Sequence, residues 1–393
     1  MITVAEAKQI ITNNIIPLSP AKAAIMNASG RLLATDVYAV ADIPAFPQSS
    51  MDGYAFSFDT KKAGERLVIE GEIAAGSTDD NFLTPGKAVR IFTGAPVPPG
   101  ADTVVMQEKV EAANGMLSIH DDLLKKGANV RPKGSEITAG QLALPAGTFL
   151  TPAAVGFLAG IGVAEVNVYP HPSITLIITG KELQKPGSSP RFGQVYESNS
   201  YALTAALKQL HIETVNAVWV DDDLALLTEV LNKALAESDM VLLTGGISAG
   251  DYDFVLQAAT ECGVTQLFHK VKQRPGKPLY FGRKGNKVVF GLPGNPSSVL
   301  TCFYEYVVPA LSQMSHLRKE LVPVKAPLLK PIQKAAGLTH FLKGHFDGKA
   351  VAPLTAQESY RMSTYATANC LIVVEEETTA CKEGEIIEIH LLP

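Results

Sequence analysis

Between residues 173 and 314, short apolar runs ending in glycine or aspartate alternate with longer segments that are apolar along one helical face. This alternation restricts the fold more than any other feature of the chain. SITLIITG (173–180) is apolar over most of its length, as a strand covered on both faces must be. After SNS, YALTAALKQL sets Leu203, Ala206, Leu207 and Leu210 on one helical face. TVNAVWV (214–220) predicts a second strand running into Asp221, Asp222 and Asp223. LALLTEVLNKALAES (224–238) predicts a helix with Leu224, Leu227, Leu231 and Leu235 aligned. MVLLTGG (240–246) and KVVFGLPG (287–294) predict further strands, and PSSVLTCFYEYVVPALSQM (296–314) one long helix with proline in its first turn. Elements alternating at these lengths predict a parallel, doubly wound α/β/α sheet domain.

A chain of 393 residues exceeds what one core supports, so a multidomain α/β and β protein is expected. Residues 1–40 and 137–170 are Ala-rich and read as a discontinuous N-terminal and linker domain, with TPAAVGFLAGIG (151–162) a helix. Residues 41–136 hold short apolar runs broken by turns, a β-rich insert domain. The α/β domain takes 171–318. Residues 319–393 alternate again, as in CLIVVEEE and GEIIEIHLL, and predict a small C-terminal β-barrel, with 325–337 its first strand region.

Hydrophobic residues make up 46% of the chain and charged residues 19%, enough apolar material for a sizeable core. The net charge of -5 argues against a nucleic-acid surface. The four cysteines, Cys262, Cys302, Cys370 and Cys381, form no CxxC pair, which fits free thiols in a reducing cytoplasm. MITVAEAKQI has no basic stretch leading into an apolar one, and the apolar run from Pro152 to Ala164 is too short to span a bilayer. A cytoplasmic protein without a membrane segment is expected.

In an open α/β sheet, ligands bind beyond the carboxyl ends of the strands. There the chain carries TGKEL (179–183), VDDD (220–223), TGGISAGDYD (244–253) and LPGNPSS (292–298). Glycines allow close backbone approach to a ligand, which makes Gly245, Gly246 and Ser248 candidate contacts. Glu182, Asp222, Asp251 and Asp253 bring carboxylates to the same edge, as a hard cation beside a phosphate requires. No GxxxxGK[ST] or GxGxxG occurs, so phosphate binding has to be built otherwise. Lys272, Arg274 and Lys277 around Gly276 form a candidate anion cradle. In the insert, Asp52 stands beside Gly53, Thr93 lies in a Pro- and Gly-rich segment (90–102), and VRPKGSE places Arg131 and Lys133 near Glu136.

SMDGYA, TGAPVPPGAD, NVRPKGSEI, TGKEL, SNS, TGGISAGDYD, RPGKP and GLPGNP, taken together and in this order, resemble the MoeA/gephyrin family of molybdopterin molybdenumtransferases. The resemblance runs over nearly the whole chain, including SYRMSTYATANCLIV (359–373). It implies a four-domain homodimer that converts adenylylated molybdopterin and molybdate into molybdenum cofactor and AMP, assisted by Mg²⁺. It also implies a partner, the molybdopterin adenylyltransferase, that supplies the activated pterin. Carried over residue by residue, Asp52, Glu182 and Asp253 would be catalytic, with Glu182, Asp222 and Asp253 holding the cation. Thr93, Arg131, Asp222, Lys277, Pro293, Pro296 and the C-terminal Ser363 would bind substrate, joined by Arg274.

Three positions depart from the family pattern. Lys181 stands where an acid is usual, Arg274 where lysine is usual, and Glu136 where aspartate is common. Lys181 removes one potential cation ligand and leaves Glu182. Two other readings of the residues stay open: a non-catalytic scaffold that holds molybdopterin or a protein partner, and a nucleotide-processing enzyme built on the same α/β domain. The retained acidic and basic positions favour an enzyme over the first, and the insert motifs argue against the second.

Overall fold

Thr3 and Glu6 cap each other at the start of helix α1 (Val4–Asn14). Thr3 Oγ1 accepts the Glu6 N–H (3.2 Å) and Glu6 Oε2 accepts the Thr3 N–H (2.7 Å). In the computed structural model, residues 1–61, 64–78, 81–245, 254–316 and 321–393 are described. The candidate positions Gly246, Ser248, Asp251 and Asp253 therefore lie outside the described residues. The chain divides into two compact units, the larger holding Met1–Ala21, Gly30–Leu32 and Val168–Pro393, the smaller Lys22–Ser29 and Leu33–Asn167.

The smaller unit contains β1 (Gln48–Ser49), β2 (Gly53–Phe56), β3 (Leu67–Ile73), β4 (Lys87–Ile91), β5 (Thr103–Met106), β6 (Val110–Ala113), β7 (Met116–Ile119) and β8 (Val130–Arg131). Six of these form one sheet in the order β5-β2-β4-β3-β7-β6, while β1 pairs with β8. Strand β2 is buried along its length, Ala55 packing into one cluster and Tyr54 and Phe56 into another. Gly53 is required there, because a Cβ would stand 1.9 Å from the Val105 carbonyl oxygen. Helix α2 (Pro152–Gly160) starts where Thr151 Oγ1 accepts the Ala154 N–H.

In the larger unit the chain runs through β9 (Ile174–Thr179), α3 (Asn199–Gln209), β10 (Val215–Val220), α4 (Leu224–Glu237), β11 (Met240–Thr244) and α5 (Phe254–Glu261). It continues through β12 (Thr265–Lys270), β13 (Gln273–Arg274), β14 (Pro278–Lys284), β15 (Lys287–Leu292) and α6 (Pro296–Cys302). The sheet order is β10-β9-β11-β15-β14-β12, and the first four strands are mutually parallel. Strand order turns back between β9 and β11, the position where such sheets open a crevice at their carboxyl edge. Both faces are covered. Ile174, Leu176 and Ile178 pack with α1, α3 and α6, while Ile177 packs with α4 and α5.

Two features refine the sequence reading. The parallel sheet is extended by the antiparallel strands β14 and β12, and only Gly285–Asn286 separate β14 from β15. The single long helix predicted over 296–314 is α6, a π-helical segment (Phe303–Val307) and α7 (Val308–Ser315) in succession. Pro309 lacks the N–H that an α-helix would direct to the Glu305 carbonyl, and the winding widens at that point.

The C-terminal residues add β16 (Val322–Pro327), β17 (Thr339–Phe346), β18 (Val351–Pro353), the short α8 (Met362–Tyr365), β19 (Cys370–Val374) and β20 (Ile386–Leu391). Their sheet runs β13-β17-β19-β20-β16, with β18 also on β17, so β13 enters it from the α/β part of the chain. All four cysteines are buried and free. Among the described residues no helix is long and apolar enough to cross a membrane.

The π segment carries Glu305, whose side chain is fully buried. Lys8 Nζ of α1 donates to Glu305 Oε2 (2.7 Å) and His390 Nδ1 of β20 meets Oε1 at 2.7 Å. Burial opposes the charge of Glu305, but the His390 contact and the Lys8 ammonium outweigh it and hold the carboxyl below its usual range. Burial likewise opposes the His390 cation, and the Glu305 contact raises its pKa nonetheless.

Glu305→Gln is expected to lower the unfolding free energy by about 2–3 kcal/mol, since a buried charged contact is lost while His390 stays in place. The carboxylate's contribution is present above its unfolded pKa near 4.5 and is lost as pH falls through the depressed folded value. The imidazolium's contribution is present below 6.5 and is lost as pH rises through the raised folded value. Denaturant melts of both proteins should therefore differ most between pH 4.5 and 6.5 and converge as pH falls through the depressed carboxyl value. Above the raised imidazole value they should differ less, though still measurably, because Lys8 still pairs with the carboxylate there.

Candidate active-site cleft

At the carboxyl edge of the sheet, β9 and β11 end side by side, with Ile178 opposite Thr244. Gly245 follows at φ +87°, and a Cβ there would lie 2.1 Å from the Thr179 carbonyl oxygen. The glycine is thus demanded by packing as well as by any ligand. Asn199, in the first turn of α3, is buried and donates from Nδ2 to Thr244 Oγ1 (2.8 Å) and to the Gly294 carbonyl (2.9 Å). It ties α3 to the end of β11 and to the loop after β15. Asn199 Oδ1, Thr179 Oγ1 and Ser297 Oγ are buried without a partner among the described residues, an arrangement that favours a ligand or water completing them.

Beside this edge opens a cleft of about 970 Å³, lined by Glu182, Glu197 to Asn199, Gln273 to Pro278, Pro293 to Pro296, Ser298, Leu338 and Gln357 to Tyr360. Five residues predicted from the sequence line it together: Glu182, Arg274, Lys277, Pro293 and Pro296. Asp222, Gly245 and Ser363 are not part of the lining. Ser363 is an exposed residue of α8.

The Arg274–Lys277 wall rests on Gln273, which is fully buried. Its Nε2 donates to the Gly276 carbonyl (2.9 Å) and lies 3.4 Å from Cys302 Sγ, while Tyr306 donates its hydroxyl to Oε1. Strand β13 pairs in parallel with β17, Gln273 opposite Thr339 and Arg274 opposite His340. Burial, with Lys334 and Arg274 nearby, pushes His340 down to about 4, so it is neutral at neutral pH. Lys272 does not join the cradle expected of it. Its ammonium donates to Glu376 Oε1 at 2.7 Å, away from the cleft lining.

Three residues that the sequence reading passed over prove central: Asn199, Gln273 and Glu197. Glu197 is buried and accepts both the Ser200 N–H (2.7 Å) and the Ser200 hydroxyl (2.6 Å), fixing the start of α3. A Glu three residues before Ser ahead of an apolar helical face was the one local signal available for it.

For a cation, Asp222 Oδ2 accepts the Lys181 N–H at 3.3 Å, so the loops bearing Asp222 and Glu182 adjoin. Carboxylate oxygens are the donors a hard divalent ion takes, and the donor chemistry fits Mg²⁺. Among the described residues, no group of three or more His, Cys, Asp or Glu side chains is arranged to hold a metal ion. Of the three carboxylates expected to hold the cation, Glu182 and Asp222 lie among the described residues.

The smaller unit gathers Asp52, Thr93 and Arg131, all exposed. Asp52 Oδ1 accepts both the Thr93 N–H and the Thr93 hydroxyl at 2.8 Å. These hydrogen bonds, with Arg90 nearby, hold its carboxyl below the usual range. Arg131 stands opposite Gln48 in the β8–β1 pair, and Ser49 of that pair bonds to Gly94 and Ala95 beside Thr93.

Three family models match the chain: the MoeA N-terminal region (domain I and II) over residues 2–162, a probable molybdopterin binding domain over 175–313, and the MoeA C-terminal region (domain IV) over 325–392. The chain is 31% identical over 379 residues to a molybdopterin molybdenumtransferase of Haemophilus influenzae, covering 94% of each. It is 33% identical over 401 residues to one of Staphylococcus aureus, covering 99% of this chain and 95% of the relative. A crystal structure of a molybdopterin biosynthesis MoeA protein from Pyrococcus horikoshii OT3 superposes with a TM-score of 0.71 at 27% identity, covering 100% of both chains.

Gly276 sits at φ +84°, and a Cβ would lie 2.5 Å from Cys302 Sγ and 2.9 Å from Gln273 Nε2. Gly276→Ala is expected to cost about 2–4 kcal/mol of stability from backbone strain and overpacking together. Adding Cys302→Ala should return part of that loss in a denaturant melt. A double variant no more stable than Gly276→Ala would show that the thiol contact contributes nothing.

Proposed function

This chain belongs to the molybdopterin molybdenumtransferase family, and we propose that it transfers molybdenum from molybdate to adenylylated molybdopterin with release of AMP. The observation that carries this reading is the cleft at the sheet's carboxyl edge, where Arg274 and Lys277 share one lining with Glu182. A phosphoanhydride substrate needs cations that are not already neutralised. Neither Arg274 nor Lys277 has an ion pair to a carboxylate among the described residues, whereas Lys272 has.

In this reading Arg274 and Lys277 bind the phosphates, the Gly276 backbone lets the substrate approach, and Pro293 and Pro296 shape the facing wall. Glu182 and Asp222, with Asp253, would hold Mg²⁺, which when bound supplies Lewis-acid polarisation of the phosphoanhydride. Gly245, Gly246 and Ser248 would be further substrate contacts. Asp52, ionised through the neutral range and anchored on Thr93, contributes a catalytic carboxylate, with Thr93, Arg131 and Ser363 as further substrate contacts. The protein is assigned to the cytoplasm as a homodimer that receives its pterin from a molybdopterin adenylyltransferase.

The test incubates purified protein with adenylylated molybdopterin, molybdate and Mg²⁺ and follows AMP. Release should require molybdate and Mg²⁺ together, and tight pterin binding with no release under any condition would make the protein a scaffold. In the same assay Arg274→Lys should change KM by less than about threefold, because a phosphate accepts either donor, while Arg274→Glu should raise it at least about tenfold. An unchanged KM in the Glu variant would take Arg274 out of the site.

A further inference from the structure

Lys343 lies in the middle of β17 with its side chain among the most buried polar groups of the protein, 2% exposed. No carboxylate forms an ion pair with it among the described residues. Its ammonium instead donates to three backbone carbonyls, those of Ala356 (3.1 Å), Glu358 (3.3 Å) and Arg361 (3.2 Å). Three donors meet three acceptors, so the charge is fully satisfied by one short stretch of chain. A second tie runs alongside: Gln357 Oε1 accepts the Lys343 N–H (2.9 Å) and its Nε2 donates to the Lys343 carbonyl (2.8 Å).

That stretch is the wall the C-terminal part of the chain gives to the cleft, since Gln357, Glu358, Ser359 and Tyr360 all line it. On its outer side the Ser359 carbonyl accepts the Ser297 N–H (3.0 Å) in the first turn of α6, and Asn295 Nδ2 donates to Ser359 Oγ (2.8 Å). The loop is therefore gripped from behind by Lys343 and joined in front to the loop that carries Pro293 and Pro296. Ala356 takes φ +59°, a conformation that an alanine holds only where surrounding contacts impose it.

We propose that Lys343 is a positioning residue of the cleft: by binding three carbonyls it fixes the 356–361 loop, and with it Ser359 and Tyr360, in the form that receives the substrate. The role rests on the reading of the cleft as the substrate site. Burial lowers the pKa of Lys343, the cost of keeping a cation there. A methionine of similar length would fill the space without that cost but would offer the loop no donors.

The test compares wild type with Lys343→Met and Lys343→Arg, reading amide hydrogen exchange across 354–361 and steady-state kinetics with adenylylated molybdopterin and molybdate. In Lys343→Met, exchange of the loop should accelerate at least about tenfold while β9 and β11 keep wild-type protection. KM for the pterin should rise about tenfold with kcat within about twofold, because only the form of the binding wall is lost. Lys343→Arg should recover part of both effects. Unchanged loop exchange, or a fall in kcat at unchanged KM, overturns the proposal. If Lys343→Met does not fold, Gln357→Met cuts the second tie of the same clamp, and it must show the same exchange and KM pattern. If wild type releases no AMP, the reading of the cleft fails, while the exchange measurement still decides whether Lys343 orders the loop.

Discussion

The larger unit is held at one point by a carboxylate that water never reaches. Glu305 joins three segments distant in sequence, the Lys8 helix, the π turn and the His390 strand. An unpaired ion at that depth would cost several kcal/mol, so all three must be in place for any of them to be stable there. The Phe341 ring adds to the same joint, with Lys8 Nζ 5.9 Å from its centroid and the His390 ring 6.5 Å away. Apolar packing surrounds this point on every side but does not choose partners. The ion cluster does, because only one docking of α1 and β20 neutralises it.

The cleft depends on that docking. Its basic wall begins at β13, a two-residue strand that follows β12 in the chain and forms the edge of the C-terminal sheet beside β17. Its far wall is the 356–361 loop, clamped to the same β17 by Lys343. One strand thus positions Arg274 through backbone pairing and Tyr360 through a buried ammonium. A displacement of β17 would move both walls together and leave the cleft's width unchanged, whereas loosening either tie would change the width alone.

The alternation between 173 and 314 was enough to place the four parallel strands with α3 and α4, because each buried stripe there is a local pattern, but not α5, β12 or β14. Leu203, Ala206 and Leu207 are core residues of α3 as their spacing requires, and Leu227, Leu231 and Leu235 are those of α4. What the spacing could not carry was any contact whose partner is remote. Asn199 bonds to a carbonyl 95 positions away, and Lys272 finds its acid 104 positions away, so adjacency to Arg274 suggested a cradle that the fold does not make. The π turn had a local cause in Pro309, but its consequence, the burial of Glu305, is visible only once Lys8 and His390 are beside it. Glu182 and the 292–298 loop were legible because strand-end loops converge in this fold class, Arg274 and Lys277 only as an anion cradle read from their own segment, and Pro293 and Pro296 only through the family resemblance.

Charge distribution within the cleft follows from the same division of labour. Arginine and lysine lose up to about 2 kcal/mol of side-chain entropy when a ligand immobilises them, so a binding wall gains most when its backbone is already fixed. Gln273 fixes it, bonding to the Gly276 carbonyl and accepting from Tyr306, all within the core. Gly276 then passes Cys302 at a distance that no side chain would permit. Polar groups sequestered behind the wall hold the backbone, and the exposed cations in front keep the freedom to meet an anion. The buried amide, with no charge to neutralise, does this without adding a further charge to the wall, which a buried lysine or arginine at the same position would do.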